Sequence, residues 1–325
     1  MSELHITFPS AHNAAKVIAV CTSPAKGTQK TNCHSAVFIE DWGIDGDAHA
    51  GKWHRQVSLL SADKIDAFRA KPLPAGVVRP DIPWGAFGEN LVVRGIDFRT
   101  LPLGTRFSCG EVLLELTQIG KECHDHCAIH KAMGECIMPR EGVFARVLHG
   151  GTIREDDTMT YTLPFTAAVI TVSDSGAAGT RQDASGPAVK EALESFGYTV
   201  SGVSIIPDEQ DQIAAKLAQL ADSGTVQLIV TTGGTGFSER DVTPEATKSV
   251  ITREVPGIPE AMRQESLKIT PRAMLSRAAA GIRGKTLIIN LPGSPKACRE
   301  CLGYILQPVT HGLGILAGTE HNCAR

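Results

Sequence analysis

Two aspartates in the second half of the chain are spaced to act together on a phosphate-bearing substrate. Asp208 follows the apolar run 203–206, and Asp241 comes shortly before Thr243-Pro244, a favourable helix start with Thr243 as the N-cap. Two carboxylates at one mouth are able to share a Mg²⁺ ion, which binds nucleotide phosphates. The pair therefore predicts metal-assisted phosphate chemistry, although Asp208 taken alone is more typical of a turn or a helix cap.

Four predicted strands end in residues suited to ligand binding, including a glycine loop at 231–236. Glycines let the backbone approach a ligand and turn its N–H groups toward anionic oxygens, and hydroxyl side chains add donors. One glycine-rich loop is weak support, since such loops also form structural turns, but four polar strand ends in one sheet are harder to attribute to turns. The candidate ligand contacts are Ser173, Asp174, Thr232, Gly233, Gly234, Thr235, Gly236, Ser238, Asn290, Pro292, Gly293 and Ser294.

Strands that alternate with helices position these residues. The predicted elements are strands at 167–172, 203–206, 228–231 and 286–291, and helices at 183–196 and 209–220. This alternation predicts an α/β domain of three layers, with a parallel sheet and helices on both of its faces. Ligands of such sheets bind beyond the carboxyl ends of the strands, where the polar residues lie.

A cluster of cysteine and histidine lies in the first half of the chain. Its members are Cys123, His124, His126, Cys127, His130 and, further on, Cys136. Thiolates beside imidazoles suit zinc or another transition metal, and a thiol near Lys121 and histidine would ionise easily and be reactive. Spacing alone does not separate these roles from core cysteines beside surface histidines. The scattered cysteines are expected to fill core space: Cys21, Cys33, Cys109, Cys298, Cys301 and Cys323.

Length and composition favour a two-domain globular protein. The chain has 325 residues, of which 42% are hydrophobic and 21% charged. A net charge of -3 provides no basic excess for nucleic acid, and no apolar run approaches the roughly 20 residues that span a bilayer. Residues 1–10 lack a secretory pattern, so we expect a cytoplasmic protein without a disulfide framework.

The two halves of the chain differ in their hydrophobic pattern. Short apolar runs separated by turn residues predict a strand-rich domain at 1–160, and the α/β pattern occupies 161–325. Polar residues and a proline at 156–164 interrupt both patterns and mark the boundary between them.

Several motifs within residues 165–318 resemble the molybdopterin adenylyltransferase family. They are Thr231-Thr232-Gly233-Gly234-Thr235-Gly236, Arg240-Asp241-Val242-Thr243-Pro244-Glu245-Ala246, Pro256-Gly257, Met262-Arg263, Leu275-Ser276-Arg277 and Asn290-Leu291-Pro292-Gly293-Ser294-Pro295. The resemblance implies transfer of AMP from Mg-ATP to the terminal phosphate of molybdopterin, with release of pyrophosphate. It also implies a trimer, with Asp208 and Asp241 as the required carboxylates. Relatives that mainly bind the pterin leave a non-catalytic molybdopterin carrier as the alternative.

Residues 15–158 resemble a MOSC domain. The motifs are Gly43-Ile44-Asp45-Gly46-Asp47-Ala48-His49, Arg55-Gln56-Val57-Ser58-Leu59-Leu60, Phe87-Gly88-Glu89-Asn90-Leu91, Gly95-Ile96 and Leu103-Gly104. The resemblance implies a β-barrel-like domain whose key cysteine, matched by Cys123, carries sulfur or ligates the molybdenum of the cofactor. His49, Arg55 and Asn90 are candidates for the same pocket; the alternatives are a plain turn for the aspartate motif and a strand-start hydrogen bond for Asn90.

Together the two resemblances predict a bifunctional fusion that makes or handles the molybdenum cofactor. We expect molybdopterin and ATP at the second domain and the molybdenum cofactor at the first, with Cys123 as a molybdenum ligand unless the cluster around it is a structural zinc site. A molybdate-insertion enzyme and molybdoenzyme acceptors are the expected protein partners. No nucleic-acid or membrane partner is expected.

Overall fold

The computed structural model describes residues 14–72, 81–122 and 135–319. The chain divides into two compact units, one ending at Pro164 and the other beginning at Phe165. Cys123 and Cys127, with the three histidines near them, lie outside the described residues. The chemistry expected of this cluster therefore stays a prediction.

A closed barrel forms the first unit. Its strands are β1 (Ala15–Thr22), β2 (Thr31–Asn32), β3 (Ser35–Ile39), β4 (Gly43–Ile44), β5 (Val57–Ser61), β6 (Leu91–Arg94), β7 (Arg106–Cys109), β8 (Val112–Ile119), β9 (Val143–His149), β10 (Gly151–Arg154) and β11 (Thr158–Thr162). Seven of them follow the order β11, β7, β8, β9, β5, β6 and β1, and the barrel closes where β11 pairs with β1. Closure removes the exposed edges of the sheet. The strand-rich, barrel-like fold predicted for the first half is confirmed, and because β11 completes the barrel this unit continues past residue 160.

Two helices in the described part of the first unit, α1 (Ala62–Ala70) and α2 (Met138–Glu141), contribute to an apolar core. Ile65 and Phe68 lie three residues apart on the buried face of α1, as helical periodicity requires. The ring of Phe68 packs edge to face on Phe87, with 5.2 Å between the ring centroids. This contact anchors the segment between β5 and β6 that borders the cavity of the barrel unit.

A six-stranded sheet forms the centre of the second unit. Its strands are β12 (Thr166–Val172), β13 (Thr199–Ile206), β14 (Leu228–Thr232), β15 (Arg253–Glu254), β16 (Ala280–Arg283) and β17 (Thr286–Leu291), in the order β13, β12, β14, β17, β16, β15. The helices are α3 (Asp174–Ala177), α4 (Ser185–Ser195), α5 (Gln210–Asp222), α6 (Thr243–Val250), α7 (Gly257–Leu267) and α8 (Pro295–Ala317). The four strands expected from the sequence are all present.

The sheet is mixed, which corrects the expectation of a wholly parallel one. The strands β13, β12, β14 and β17 are parallel, but β16 and β15 run antiparallel at one edge. Arg283 pairs with Thr286, so only two residues connect β16 to β17, and Gly284 there has φ of 57°. Such a tight hairpin with positive φ reverses the chain, whereas a parallel connection needs a long crossover.

Helices cover both faces of this sheet. On one face, Ala168, Ile170 and Val172 belong to a buried cluster with Ile213 and Leu217 of α5 and with Ala246 of α6. On the other face, the Thr171 hydroxyl donates to Asp183, just before α4, and Thr232 contacts Cys298 of α8. This arrangement buries β12, β14 and β17, whereas β13 lies at the edge of the sheet and is largely exposed. The carboxyl ends of the four parallel strands lie on the same side of the sheet.

Most of the scattered cysteines fill core space, as predicted. Cys21, Cys109, Cys298 and Cys301 are buried, and burial raises the pKa of each thiol, to about 11 for Cys109 and about 12 for Cys298. The prediction is wrong for Cys33, which is exposed, and Cys323 lies outside the described residues.

Among the described helices, none combines the length and the apolar character needed to cross a membrane.

Candidate active site

The carboxyl ends of β12 and β13 hold two aspartates against each other. The Asp174 N–H donates to Oδ2 of Asp208 at 2.8 Å, and the Asp208 N–H donates to Oδ1 of Asp174 at 3.0 Å. The two strands are parallel neighbours, so their ends meet at one edge of the sheet. This reciprocal pair fixes Asp208 in position through backbone groups.

An arginine binds the Asp174 carboxylate. The guanidinium of Arg240 donates to both oxygens of Asp174, at 3.0 and 2.9 Å, and its Nη2 lies 2.9 Å from Glu209. The hydrogen bonds from Arg240 hold the pKa of Asp174 below its usual range. Asp174 therefore positions Arg240 and Asp208 in this structure. This geometry does not favour the predicted direct contact between the Asp174 side chain and a ligand.

One oxygen of Asp208 faces the glycine loop instead. Gly234 has φ of 62°, and a Cβ placed on it would lie 3.1 Å from Oδ1 of Asp208 and 2.3 Å from the Thr243 hydroxyl. Desolvation raises the pKa of Asp208, and the charges of Asp174 and Asp241 act in the same direction. Asp208 and Asp241 are thus close enough to interact electrostatically.

The loop between β14 and α6 is held by side-chain contacts to its backbone. The Thr243 hydroxyl donates to the Gly233 carbonyl at 3.0 Å, and the Ser238 N–H donates to Oδ2 of Asp241 at 2.8 Å. Helix α6 begins at Thr243 with Val242 at the N-cap, so the prediction of Thr243 as N-cap is wrong. Its hydroxyl fastens the glycine loop rather than capping the helix.

Arg277 is a further clamp that the sequence did not single out for a role. Its Nε donates to the Gly236 carbonyl at 2.6 Å, its Nη2 donates to the Asp241 carbonyl, and its Nη1 pairs with Glu245. A single side chain thereby ties both ends of the loop segment to the start of α6. An arginine fork suits this task because its donors diverge in a fixed plane.

Two cavities flank the glycine loop. A serine-side cavity of about 190 Å³ is lined by residues that include Ser173, Asp183, Thr232, Gly233 and Gly293. An arginine-side cavity of about 290 Å³ is lined by residues that include Thr235, Gly236, Arg263, Arg272 and Pro292. Gly234 lies beside Asp208. Its two neighbours in the chain line different cavities: Gly233 lines the serine-side cavity and Thr235 the arginine-side cavity.

Five of the twelve predicted contacts belong to neither lining: Asp174, Gly234, Ser238, Asn290 and Ser294. Ser294 is exposed and is the N-cap of α8, and Ser238 is exposed with its N–H and Oγ engaged within the loop. Neither side chain belongs to either lining.

Asn290 corrects another predicted contact. Its side chain is fully buried: Nδ2 donates to Thr231 at 3.0 Å and to Thr247 at 2.8 Å, and Oδ1 accepts from the Ala279 N–H at 3.1 Å. With all its polar atoms engaged inside the domain, Asn290 joins β14, β17 and α6 and has no route to a ligand.

The substitution Asn290→Ala is therefore expected to destabilise the second domain by about 2–4 kcal/mol, because it leaves buried partners unsatisfied. Denaturant unfolding monitored on that domain measures the loss. Unchanged stability with weakened ligand affinity would instead restore Asn290 as a contact residue.

A third cavity, of about 300 Å³, lies in the barrel unit and is rich in positive charge. Its described lining contains Lys26, Arg55 and Lys121 but no carboxylate, and His49 also lines it. The Arg55 guanidinium lies over the ring of Trp53, 5.2 Å from its centroid, and its Nε is buried without a hydrogen-bond partner among the described residues. Such a lining suits an anionic ligand.

Asn90 borders this cavity but its side chain is structural. Its Oδ1 accepts from the N–H and hydroxyl of Ser58, and its Nδ2 donates to the Cys21 carbonyl at 2.9 Å. These bonds link β5 to the start of β6 and to β1, which favours the alternative of a strand-start hydrogen bond. His49 and Arg55 do line one cavity, as expected.

The described residues hold no group of three or more acidic, cysteine or histidine side chains arranged for a metal ion.

An α/β sheet whose glycine loop lies beside two carboxylates is an arrangement suited to phosphate-bearing ligands. Comparison with known proteins specifies the class of protein. Residues 168–312 match the family model described as "Probable molybdopterin binding domain", and residues 46–160 match the MOSC domain. The chain belongs to the molybdopterin adenylyltransferase family and carries an N-terminal MOSC domain.

The relatives named below each match slightly less than half of this chain. The molybdopterin adenylyltransferase of Helicobacter pylori strain J99 is 44% identical over 152 residues, which cover 46% of this chain and 86% of the relative. That of Escherichia coli K12 is 46% identical over 151 residues, or 45% of this chain and 77% of the relative. A solved molybdopterin biosynthesis enzyme, MoaB from Thermus thermophilus, is 46% identical with a TM-score of 0.46, covering 47% of this chain and 97% of that one.

Proposed function

We propose that the second domain transfers AMP from Mg-ATP to the terminal phosphate of molybdopterin. A phosphate oxygen of molybdopterin attacks the α-phosphorus of ATP, a new P–O–P linkage forms, and the bond to the β-phosphate breaks with release of pyrophosphate. The observation that carries the proposal is the position of Asp208 and Asp241 beside a glycine loop that follows one of the parallel strands and whose residues line two cavities. The named relatives, molybdopterin adenylyltransferases, support it.

The free oxygens of the two carboxylates fit a Mg²⁺ ion that arrives with the nucleotide. In the part of the chain that the structure describes, Oδ1 of Asp208 and Oδ1 of Asp241 accept no hydrogen bond, while each Oδ2 accepts one from a backbone N–H. Mg²⁺ is commonly held by one or two carboxylates together with substrate phosphates. When bound, the ion would offset the repulsion between molybdopterin phosphate and triphosphate.

The chain itself positions the reactants. We assign the glycine loop 232–236 to the phosphates, because the positive φ of Gly233 and Gly234 allows close backbone approach, and the backbone N–H groups of such loops are donors for anionic oxygens. Such donors stabilise charge that develops on phosphate oxygens during transfer. The arginine-side cavity has two arginines, Arg263 and Arg272, against one carboxylate, Glu300, whereas Arg181 and Asp183 balance in the serine-side cavity. We therefore assign the phosphate-bearing pterin to the arginine-side cavity and the nucleotide to the serine-side cavity.

For the first domain we propose binding of the molybdenum cofactor, with Cys123 handling its molybdenum or sulfur. The three cations of the barrel cavity and the stacked Arg55–Trp53 pair support an anionic ligand with a flat ring system. A fusion of this kind keeps the product of one domain close to the other. A trimer, suggested by family resemblance, remains part of the proposal and is testable by light scattering.

A turnover assay with purified protein, molybdopterin and Mg-ATP tests the proposal for the second domain. We expect pyrophosphate release that depends on all three components. Tight molybdopterin binding without pyrophosphate would show a carrier instead. For the first domain, elemental analysis of wild type and Cys123→Ser should show molybdenum lost from the variant; unchanged molybdenum would remove Cys123 as a ligand.

The raised pKa of Asp208 predicts a pH dependence of Mg²⁺ use. Only the carboxylate binds the ion, so its apparent affinity should weaken as pH falls, beginning at a higher pH than for an ordinary aspartate of pKa about 3.9. The charge of Arg240 opposes this shift, so Arg240→Gln should move the onset to still higher pH. Mg²⁺ titrations of pyrophosphate release at a series of pH values measure both; identical onsets in the two proteins would contradict the prediction.

A further inference from the structure

A buried ion pair in the barrel unit lies directly behind His49. The Lys30 ammonium donates to Oδ2 of Asp47 at 2.5 Å, and the two side chains are 1% and 0% exposed. Nζ of Lys30 also lies 3.3 Å from Nδ1 of His49, whose side chain is 30% exposed and lines the cationic cavity. The histidine is therefore at the boundary between a sealed charge pair and an accessible space.

The acceptors available to Lys30 decide the role of Nδ1. A buried ammonium needs acceptors for its protons. Among the described residues its side chain has two hydrogen-bond partners, Asp47 and His49. The nearby Glu89 is fully buried and directs its oxygens to the N–H groups of Gly85 and Phe87. Nδ1 of His49 must then accept a hydrogen bond from Lys30 and carry no proton itself.

The competing arrangement is an Nδ1–H that donates to Asp47. Nδ1 lies 3.4 Å from Oδ1 of Asp47, at the long limit for a hydrogen bond, and that oxygen already accepts the His49 backbone N–H at 3.0 Å. An Nδ1–H would also face the Lys30 ammonium, so that two hydrogen-bond donors would point at each other. The contact from Lys30 to Nδ1 is the consistent one.

We infer that Lys30 and Asp47 fix His49 as the neutral Nε2–H tautomer, so that its imidazole presents a hydrogen-bond donor to an anionic oxygen in the cationic cavity. His49 is thus a specificity-determining donor rather than a general base, and the ligand class is an oxyanion. The inference rests on the proposed role of this cavity in binding an anionic cofactor. The neutral imidazole contributes a directional hydrogen bond to the ligand, while Lys26, Arg55 and Lys121 contribute positive charge.

The tautomer is measurable without a ligand. In the full-length protein labelled with ¹⁵N-histidine, the His49 signal, assigned by its loss in His49→Gln, should show a pyridine-type Nδ1 and a pyrrole-type Nε2 near neutral pH. His54, an exposed histidine that does not line the cavity, serves as the internal comparison. An Nδ1–H tautomer or an imidazolium at His49 overturns the inference, whether or not the cavity binds anions.

Inorganic phosphate tests the donor role. Titration is followed at the Trp53 indole N–H, which donates to the His49 carbonyl and borders the same cavity, so that binding at the second domain does not interfere. We expect His49→Ala to lower the affinity for phosphate about tenfold. His49→Gln, which keeps a donor near the Nε2 position, should lower this affinity much less. His54→Ala should leave it unchanged. Equal affinity in wild type, His49→Ala and His49→Gln overturns the inference while the cavity stands. No response of Trp53 in wild type overturns it together with the role of the barrel cavity, and leaves adenylyl transfer by the second domain unaffected.

Discussion

Asp208→Asn and Asp241→Asn are each expected to lower the rate of pyrophosphate release by about a thousandfold. Each variant keeps the acceptor for its backbone partner, Asp174 N–H or Ser238 N–H, because an asparagine carbonyl replaces Oδ2. What changes is the free oxygen, which becomes an amide NH₂ that repels Mg²⁺. The loss should therefore appear in turnover and in the Mg²⁺ requirement, with little change in the stability of the domain.

The matched control is Asp222→Asn. Asp222 ends α5 before β14 begins, at the opposite edge of the sheet, and forms an exposed ion pair with Arg283. Asp222→Asn makes the same change of charge away from the proposed site, so turnover should stay within about twofold of wild type. Stability should also change little, because exposed ion pairs contribute little to it. If Asp208→Asn and Asp241→Asn behaved like Asp222→Asn, the two carboxylates would have no part in the reaction.

The sequence was sufficient to predict the strands that carry this site. The runs at 228–231 and 286–291 are apolar without alternation, as strands buried on both faces are, and the residues after them have side chains or flexibility suited to ligands. The structure lengthens 228–231 by one residue and keeps 286–291 unchanged. Local composition is informative here because burial of the whole strand leaves little choice of residue.

Contacts between distant segments were beyond local pattern. Nothing in the sequence indicates that Arg240 grips Asp174 or that Arg277 fastens Gly236, since these pairs are separated by 66 and 41 positions. Asn290 was misassigned for the same reason: its polar side chain suggests a ligand contact until three internal partners account for it. The short strands β15 and β16 were also missed, because β15 consists of two charged residues and β16 contains a glycine and an arginine, so neither is an uninterrupted apolar run.

The barrel unit shows the same limit in another form. The sequence placed His49 and Arg55 at one pocket, but it carried no sign that Lys30 would be buried, since lysine in a polar stretch normally lies at the surface. The charge pair becomes visible only when β1, β2 and the 43–49 segment are brought together. A motif thus identifies which residues matter, and the fold decides whether each one contacts the ligand or positions its neighbour.

Gly234→Ala should disable the second domain more than its single methyl group suggests. The added Cβ would meet the Thr243 hydroxyl at 2.3 Å and Oδ1 of Asp208 at 3.1 Å, and φ of 62° is unfavourable for alanine. Relief of the clash requires Thr243 to release the Gly233 carbonyl or Asp208 to move. A displacement of about 1 Å in a positioned group costs on the order of a hundredfold in rate, and we expect a loss of at least that size in pyrophosphate release.

Gly224→Ala separates strain from displacement. Gly224 has φ of 70°, nearly that of Gly234, but a Cβ there would have no atom within 4 Å. It should therefore cost about 1 kcal/mol of stability from the left-handed backbone alone and leave turnover unchanged. If Gly234→Ala lost only that much stability and kept full activity, the loop would not be packed against Asp208 as the structure has it. Backbone strain is common to both variants, and only the contact with Asp208 and Thr243 differs. A large loss of rate in Gly234→Ala alone would therefore show that the loop and the Asp208 carboxylate form one rigid unit.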